Sequence, residues 1–305
     1  MLVIKDTIDF ASDRPTVVTL GKFDSLHLGH RELITRVLAM AGERELGSFP
    51  RSVVFRLSSA SVSLLTEEER RQMLEEMGVH TLIECPFVPE IIQMEPETFV
   101  RNVLVDRLRA VHLVVGEDFR FGYRRRGDAA MLVKMGRELG FTVDVVPKVA
   151  LDGEPVSSTR IREALQEGRM AEVNRLLGYT YFVTGRIIHG RQVGRTIGFP
   201  TTNLIPGRGK LLPPNGVYAA RVTVDGEVFA GITNIGTKPT VDGHFVGVET
   251  YLYDCSEDLY GECQKVELLD FERAERKFPS VEALREQILA DKAYGEAYFD
   301  GHPLE

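Results

Sequence analysis

The chain has 305 residues, 43% of them apolar, and 45 acidic against 37 basic side chains leave a formal charge of -8. That length supports two domains with separate cores, and the acidic balance excludes a general nucleic-acid binder, which would carry a basic stripe. Three cysteines (Cys85, Cys255, Cys263) with no CxxC pair argue against a disulfide framework or a zinc site, and no apolar stretch approaches the roughly 20 residues of a membrane helix. Met1-Leu2-Val3-Ile4-Lys5-Asp6 is too short and too charged for a signal peptide, so a cytoplasmic protein with reduced thiols is expected.

The first half alternates apolar runs with helical patterns. Thr16-Val17-Val18-Thr19-Leu20 predicts a buried strand that ends in a glycine turn, and the amphipathic stretch 31–40 predicts a helix just beyond His27 and His30. Residues 52–57 predict a second strand. Thr66-Glu67-Glu68-Glu69 is a capping box opening a helix that Gly78 stops. Residues 81–84 predict a third strand, and Phe99, Val100, Val103, Leu104 and Leu108 follow at helical spacing behind Pro96. Residues 111–115 are a fourth strand, 128–139 a helix and 141–146 a fifth strand. Strands each followed by a helix predict a parallel sheet covered on both faces, with ligands bound beyond the C-terminal strand ends. Two short helices, 159–167 and 170–177, complete this half.

From Tyr181 the texture changes. Strand-like runs at 181–188, 216–224, 227–235, 247–254 and 265–271 follow one another without helices, and Asp225-Gly226 between two of them is a strong hairpin signal. A final amphipathic helix over 280–290, capped by Ser280, completes a small antiparallel barrel. The expected boundary lies near residue 180, giving domains 1–180 and 181–305.

Five motifs carry chemistry. In Gly21-Lys22-Phe23-Asp24-Ser25-Leu26-His27-Leu28-Gly29-His30, two histidines three apart at a helix start offer side-chain donors beside backbone N–H groups, while Gly29 leaves the backbone approachable. A zinc pair would prefer i, i+4 spacing and a third ligand nearby, so phosphate chemistry is the reading. Val156-Ser157-Ser158-Thr159-Arg160-Ile161-Arg162 starts a helix and would be a plain cap on its own; beside the histidines it gathers triphosphate donors. Gly116-Glu117-Asp118-Phe119-Arg120-Phe121-Gly122 reads on its own as a loop with apolar anchors, and Arg124-Arg125-Arg126 as a basic loop suited to a small polyanion. Gly190, Gly194, Thr196 and Gly198 lead into Phe199-Pro200-Thr201-Thr202-Asn203, a glycine-rich loop that lacks the Walker ending but could cover phosphates while Thr201 and Asn203 hold magnesium through oxygen. On an alternating strand, Glu249 and Tyr251 face away from Val248, Thr250 and Leu252, which makes Glu249 a surface carboxylate or a general base.

Together these residues resemble the bacterial bifunctional riboflavin kinase/FAD synthetase family, across nearly the whole chain. The resemblance rests on the Gly21–His30 element, Gly116-x-Asp118-Phe119-x-Phe121-Gly122, Ser157-Ser158-Thr159-x-Ile161-Arg162 and Gly194-Arg195-Thr196-x-Gly198-Phe199-Pro200-Thr201-x-Asn203. Pro213-Pro214-x-Gly216-Val217-Tyr218, Asn234-x-Gly236-x-x-Pro239-Thr240, Val248-Glu249-Thr250 and Leu259-Tyr260-Gly261 extend it. It implies an α/β nucleotidyltransferase domain that makes FAD from FMN and ATP, and a β-barrel kinase domain that makes FMN from riboflavin and ATP. It further implies that Gly21, Phe23, Asp24, His27, Gly29, His30, Ser158, Thr159 and Arg162 bind ATP in the first domain, with His27 and His30 stabilising phosphate charge. Asp118, Phe119 and Phe121 would contact the flavin. In the second domain Gly190, Gly194, Thr196, Gly198, Thr201 and Asn203 would bind MgATP, and Glu249 would be the base. Two departures stand out. Ser25 replaces the usual glycine, and Phe55-Arg56-Leu57-Ser58-Ser59 stands where the family typically has Phe-Asp-Pro-His-Pro. The alternatives are a kinase with a weakened first domain, or a flavin-binding regulator without turnover.

Overall fold

The structure is a computed structural model describing residues 1–42, 49–58, 62–190, 198–240 and 243–304. The chain divides into two compact units, Met1–Ser157 and Ser158–Glu305.

In the first unit, β1 (Leu2–Lys5), β2 (Thr16–Leu20), β3 (Arg51–Ser58), β4 (Thr81–Pro86), β5 (Ala110–Gly116) and β6 (Thr142–Val146) form one sheet in the order β1-β4-β3-β2-β5-β6. Every pairing is parallel. All five residues of β2 are buried, as a strand covered on both faces requires. The connecting helices are α1 (Leu28–Ala41), α2 (Glu67–Glu76), α3 (Phe99–Arg107) and α4 (Ala129–Leu139). The capping box of α2 forms as expected: Glu69 N–H donates to Thr66 Oγ1 at 3.1 Å and Thr66 N–H to Glu69 Oε2 at 2.8 Å. Helix α3 carries its predicted apolar face inward but is wound as a π-helix, with Leu108 N–H reaching Val103 O at 3.0 Å. β1, an exposed edge strand, goes unrecognised in the sequence. Strand order reverses between β2 and β5, so the loops after these neighbouring strands share the switch point where such sheets hold ligands.

In the second unit, α5 (Ser158–Gln166) and α6 (Met170–Leu177) precede a sheet of β7 (Phe182–Arg186), β8 (Thr201–Leu204), β9 (Gly216–Val224), β10 (Glu227–Thr240), β11 (Gly243–Leu252) and β12 (Cys263–Ala274). The order is β7-β12-β9-β10-β11-β8, antiparallel throughout. Its outer strands curl toward each other: Ile188 N–H donates to Asn203 O at 2.8 Å, and a Cβ on Gly185 would stand 3.2 Å from Ile205 O. Asp225 (φ 48°) and Gly226 (φ 84°) both take the left-handed conformation that the β9–β10 hairpin demands. The last helix, α7 (Val281–Gly301), is capped by Ser280 but runs well past residue 290. Asp291 explains the extension: it is buried and receives Arg273 Nε at 2.8 Å, so a charged side chain pins the helix to β12.

Candidate active site

The loop after β2 packs into a closed turn. Phe23 and Leu26 take positive φ (46° and 47°), uncommon for bulky residues and tolerated only when their surroundings hold them. Both are fully buried. Ser25 does not take positive φ, so a side chain in place of glycine causes no backbone strain there. A Cβ on Gly21 would sit 3.1 Å from the Phe23 ring, and one on Gly29 would sit 3.2 Å from His27 Cε1. The space left by Gly29 is therefore taken up by the His27 ring. Asp24 Oδ1 accepts from the Leu64 N–H at 3.3 Å and from the Ser63 hydroxyl, tying the turn to the segment ahead of α2.

The helix begins between the two histidines rather than beyond both. His27 is its N-cap, and His27 Nδ1 accepts the His30 N–H at 3.3 Å. Burial pushes the His27 imidazole down to about 4, so the ring is neutral near pH 7 and its proton sits on Nε2, the nitrogen able to donate. His30 stacks on His27 with centroids 3.8 Å apart and an interplanar angle of 13°. Burial also holds His30 well below the usual histidine range, and neighbouring His27 and the Arg70 guanidinium push the same way. The buried Nδ1 of His30 has no hydrogen-bond partner among the described residues. The predicted set Gly21, Phe23, Asp24, His27, Gly29 and His30 thus comes together as two neutral rings at a helix start, supported by a buried aromatic and a carboxylate that acts as a brace.

The loop after β5 divides its residues. Phe121 is a core side chain, packed 5.8 Å from Phe99 and stacked at 5.7 Å on the half-buried Phe119, while Asp118 is exposed and pairs with Lys148 Nζ at 3.0 Å. The exposed Arg124 and Arg126 lie over the Tyr123 ring, and Arg126 pairs with Glu95. Ser158, Thr159 and Arg162 lie in the first turns of α5, where Ile161 faces the interior and Arg160 pairs with Glu172 of α6 at 3.1 Å.

In the second unit, strand pairing assembles the polar cluster. Asn203 of β8 stands opposite Glu249 of β11, which stands opposite Asn234 of β10. Thr201 Oγ1 donates to Glu249 Oε1 at 2.7 Å. Val248, Thr250 and Leu252 are buried whereas Glu249 and Tyr251 are only half-buried, as the alternation predicts. Gly190 gives room for the Asn203 side chain: a Cβ there would be 2.7 Å from Asn203 Nδ2. Gly198 takes φ +88°. Gly194 and Thr196 lie outside the described residues, as does Ser59. The side-chain oxygens of Thr201 and Asn203 are of the hard kind that magnesium takes beside phosphates.

Sequence reasoning missed the groups that hold the first loop from beneath. Glu84 of β4 is fully buried and receives Arg56 Nη1 at 2.9 Å and Arg71 Nε at 3.1 Å. Arg56 Nε also donates to Lys22 O at 3.2 Å, and the buried Arg70 donates through Nε to Phe23 O at 2.8 Å. Arg56 between Phe55 and Leu57, and Glu84 between Ile83 and Cys85, were the sequence signals for this.

A parallel sheet with two stacked histidines at a helix start beside its switch point, in one chain with a curled antiparallel sheet carrying a Thr–Glu–Asn cluster, is the architecture of a two-domain transferase. The FAD synthetase family model matches residues 9–160 and the riboflavin kinase family model residues 177–299. The bifunctional riboflavin kinase/FMN adenylyltransferase of Haemophilus influenzae is 36% identical, covering 93% of this chain and 94% of its own. The enzyme of the same name from Escherichia coli K12 is 36% identical (93% and 92%), and that of Listeria monocytogenes 34% (96% and 95%). The chain belongs to the bifunctional riboflavin kinase/FMN adenylyltransferase family. Its fold also matches a Streptococcus pneumoniae crystal structure described as a macrolide-efflux protein, at TM-score 0.83 and 29% identity over 97% of this chain and 98% of that one. No helix among the described residues is long and apolar enough to cross a membrane.

Proposed function

We propose that this chain makes FAD in two ATP-dependent steps: phosphorylation of riboflavin by residues 181–305, and adenylylation of the resulting FMN by residues 1–180. The observation that carries this reading is the presence of both matched domains in one chain, over relatives aligned nearly end to end. In the kinase step Glu249 removes the proton from the riboflavin 5′-hydroxyl as that oxygen bonds to the γ-phosphorus, and the bond to ADP breaks. Thr201 holds the Glu249 carboxylate in place through their 2.7 Å hydrogen bond. Thr201 and Asn203, with phosphate oxygens, are the residues that would hold magnesium, which supplies charge neutralisation on the phosphates when bound. Gly190, Gly194, Thr196 and Gly198 cover the nucleotide.

In the adenylylation step a phosphate oxygen of FMN bonds to the α-phosphorus of ATP and pyrophosphate leaves. An FMN phosphate is largely ionised at neutral pH, so no base is required and catalysis is positioning plus charge stabilisation. His27 donates through Nε2, His30 supplies its ring from the first turn of α1, and the α1 N-terminus adds backbone N–H groups. Ser158, Thr159 and Arg162 bind the β- and γ-phosphates; α5 begins within the range of the FAD synthetase match, which supports assigning it to this step. Phe119 and Asp118 contact the flavin, with Phe121 anchoring their loop. Three unpaired cysteines suit a cytoplasmic location.

The test is to incubate the purified chain with MgATP and either riboflavin or FMN and to resolve the flavins chromatographically. Riboflavin should yield FMN and then FAD, and FMN should yield FAD. FMN from riboflavin without any FAD from FMN would reduce the function to a kinase; no product from either would leave a flavin binder.

A further inference from the structure

We propose that Arg56 and Arg70 are positioning residues of the adenylyl-transfer site, holding the Lys22 and Phe23 carbonyls so that the turn before α1 keeps its ligand-receiving shape. This rests on the adenylyltransferase reading of the first unit. Arginines are seldom buried unless paired, yet Arg56 is 6% and Arg70 1% exposed. Glu84 accounts for part of this. It lies opposite Arg56 in the β3–β4 register and also receives Arg71. Arg70 Nη1 stands 3.7 Å from the same carboxylate, so three guanidinium groups surround it and leave donors over, and those donors go to two successive carbonyls of a single turn. Arg56 Nε reaches Lys22 O at 3.2 Å and Arg70 Nε reaches Phe23 O at 2.8 Å. Arg70 Nη2 also donates to Ser63 Oγ (3.0 Å) and Leu65 O (3.1 Å), in the same segment that Asp24 bonds through Ser63 and Leu64.

The consequence follows from peptide geometry. No peptide bond among the described residues is cis, and in a trans peptide the N–H points opposite to the C=O. Carbonyls drawn down onto the arginines turn the Phe23 and Asp24 N–H groups away from them. Left-handed Phe23 within the same turn gives the kind of backbone concavity that takes anions. Both guanidinium groups are buried beneath the turn's carbonyls, so both act through the turn.

The test uses the full chain and its Arg56→Gln and Arg56→Lys variants. Three quantities are measured: hydrogen exchange over residues 21–27 without ligand, kcat and KM for ATP in FMN adenylylation, and riboflavin phosphorylation as an internal control. Arg56→Gln should speed exchange in 21–27 about tenfold and lower adenylylation kcat/KM by roughly 10- to 100-fold, the scale expected for misplaced binding groups. Riboflavin phosphorylation should stay within twofold. Arg56→Lys keeps a charge opposite Glu84, so folding is retained. One ammonium cannot reproduce the fork that joins Glu84 to Lys22 O, however, so exchange over 21–27 should stay raised. Unchanged exchange over 21–27, exchange raised evenly across the first unit, or raised exchange with unaltered kcat/KM would each overturn the assignment. If the parent chain forms no FAD while Arg56→Gln still loosens 21–27 selectively, the adenylyltransferase reading fails and the bracing of the turn stands.

Discussion

Replacing Glu249 by glutamine isolates the proton-transfer role from the structural one. The amide has the same length and keeps an oxygen able to accept the Thr201 hydroxyl, now 2.7 Å from Glu249 Oε1. It cannot accept a proton at neutral pH. General-base catalysis contributes roughly 10²- to 10⁴-fold, so about 2.7–5.5 kcal/mol of transition-state stabilisation should disappear. Glu249→Ala goes further, because it also strips Thr201 of its acceptor in a half-buried site and should cost about 1–3 kcal/mol more in local order. Steady-state FMN formation from riboflavin and MgATP, followed chromatographically, measures the loss. FMN-to-FAD conversion in the same preparation serves as the control and should be unchanged. FMN formation within tenfold of the parent in Glu249→Gln would refute the base assignment, and loss of both activities in a folded variant would refute the separation into two sites.

Two further predictions concern pH. Burial holds His27 at about 4 against roughly 6.5 for an unfolded histidine, so the unfolded chain takes up the proton first as pH falls. The contribution of His27 to first-unit stability is thus complete above about pH 6.5 and declines toward pH 4, by about 3 kcal/mol in all. Asparagine also caps helices but does not titrate, so His27→Asn should gain about 2.4 kcal/mol of relative stability between pH 7 and pH 4.5; urea unfolding at those two pH values checks this, and a pH-independent difference would refute it. Glu272 shows the opposite sign: burial first, then Asp291 of α7, raise its carboxyl to about 7, and its buried Oε2 has no hydrogen-bond partner among the described residues. The stability gained from the neutral carboxyl is present below about pH 4.5 and lost as pH rises through 7. Glu272→Gln should therefore melt higher than the parent at pH 8 and alike at pH 4, as calorimetry would show.

What was legible in the sequence was local. The Thr66–Glu69 capping box, the Asp225-Gly226 hairpin and the glycine at the end of α2 each put their cause within four residues of their effect, and each forms as read. The alternation around Glu249 likewise fixed which face it shares with Tyr251. Elements with distant causes were hidden. β1 is a short edge strand whose four residues are aligned by pairing with Thr81–Glu84. β8 is polar and reads as loop until its four residues are paired with Val248–Tyr251. The last turns of α7 depend on Arg273 meeting Asp291.

The same distinction separates the two candidate sites. The kinase cluster exists only because strand register sets Thr201 and Asn203 beside Glu249, 48 residues away for the Thr201 contact. A slip of one residue would turn every member to the other face of the sheet. The histidine turn, by contrast, is written in ten consecutive residues, and its motif was recognisable without any tertiary knowledge. Its geometry is nevertheless not self-sufficient: two bulky residues at positive φ need outside support to persist. That support comes from Arg56, Arg70 and Asp24, through bonds spanning 34, 47 and 40 residues. A motif can therefore be intact in ten consecutive residues while its shape depends on side chains of β3 and α2 that lie far from it in the chain.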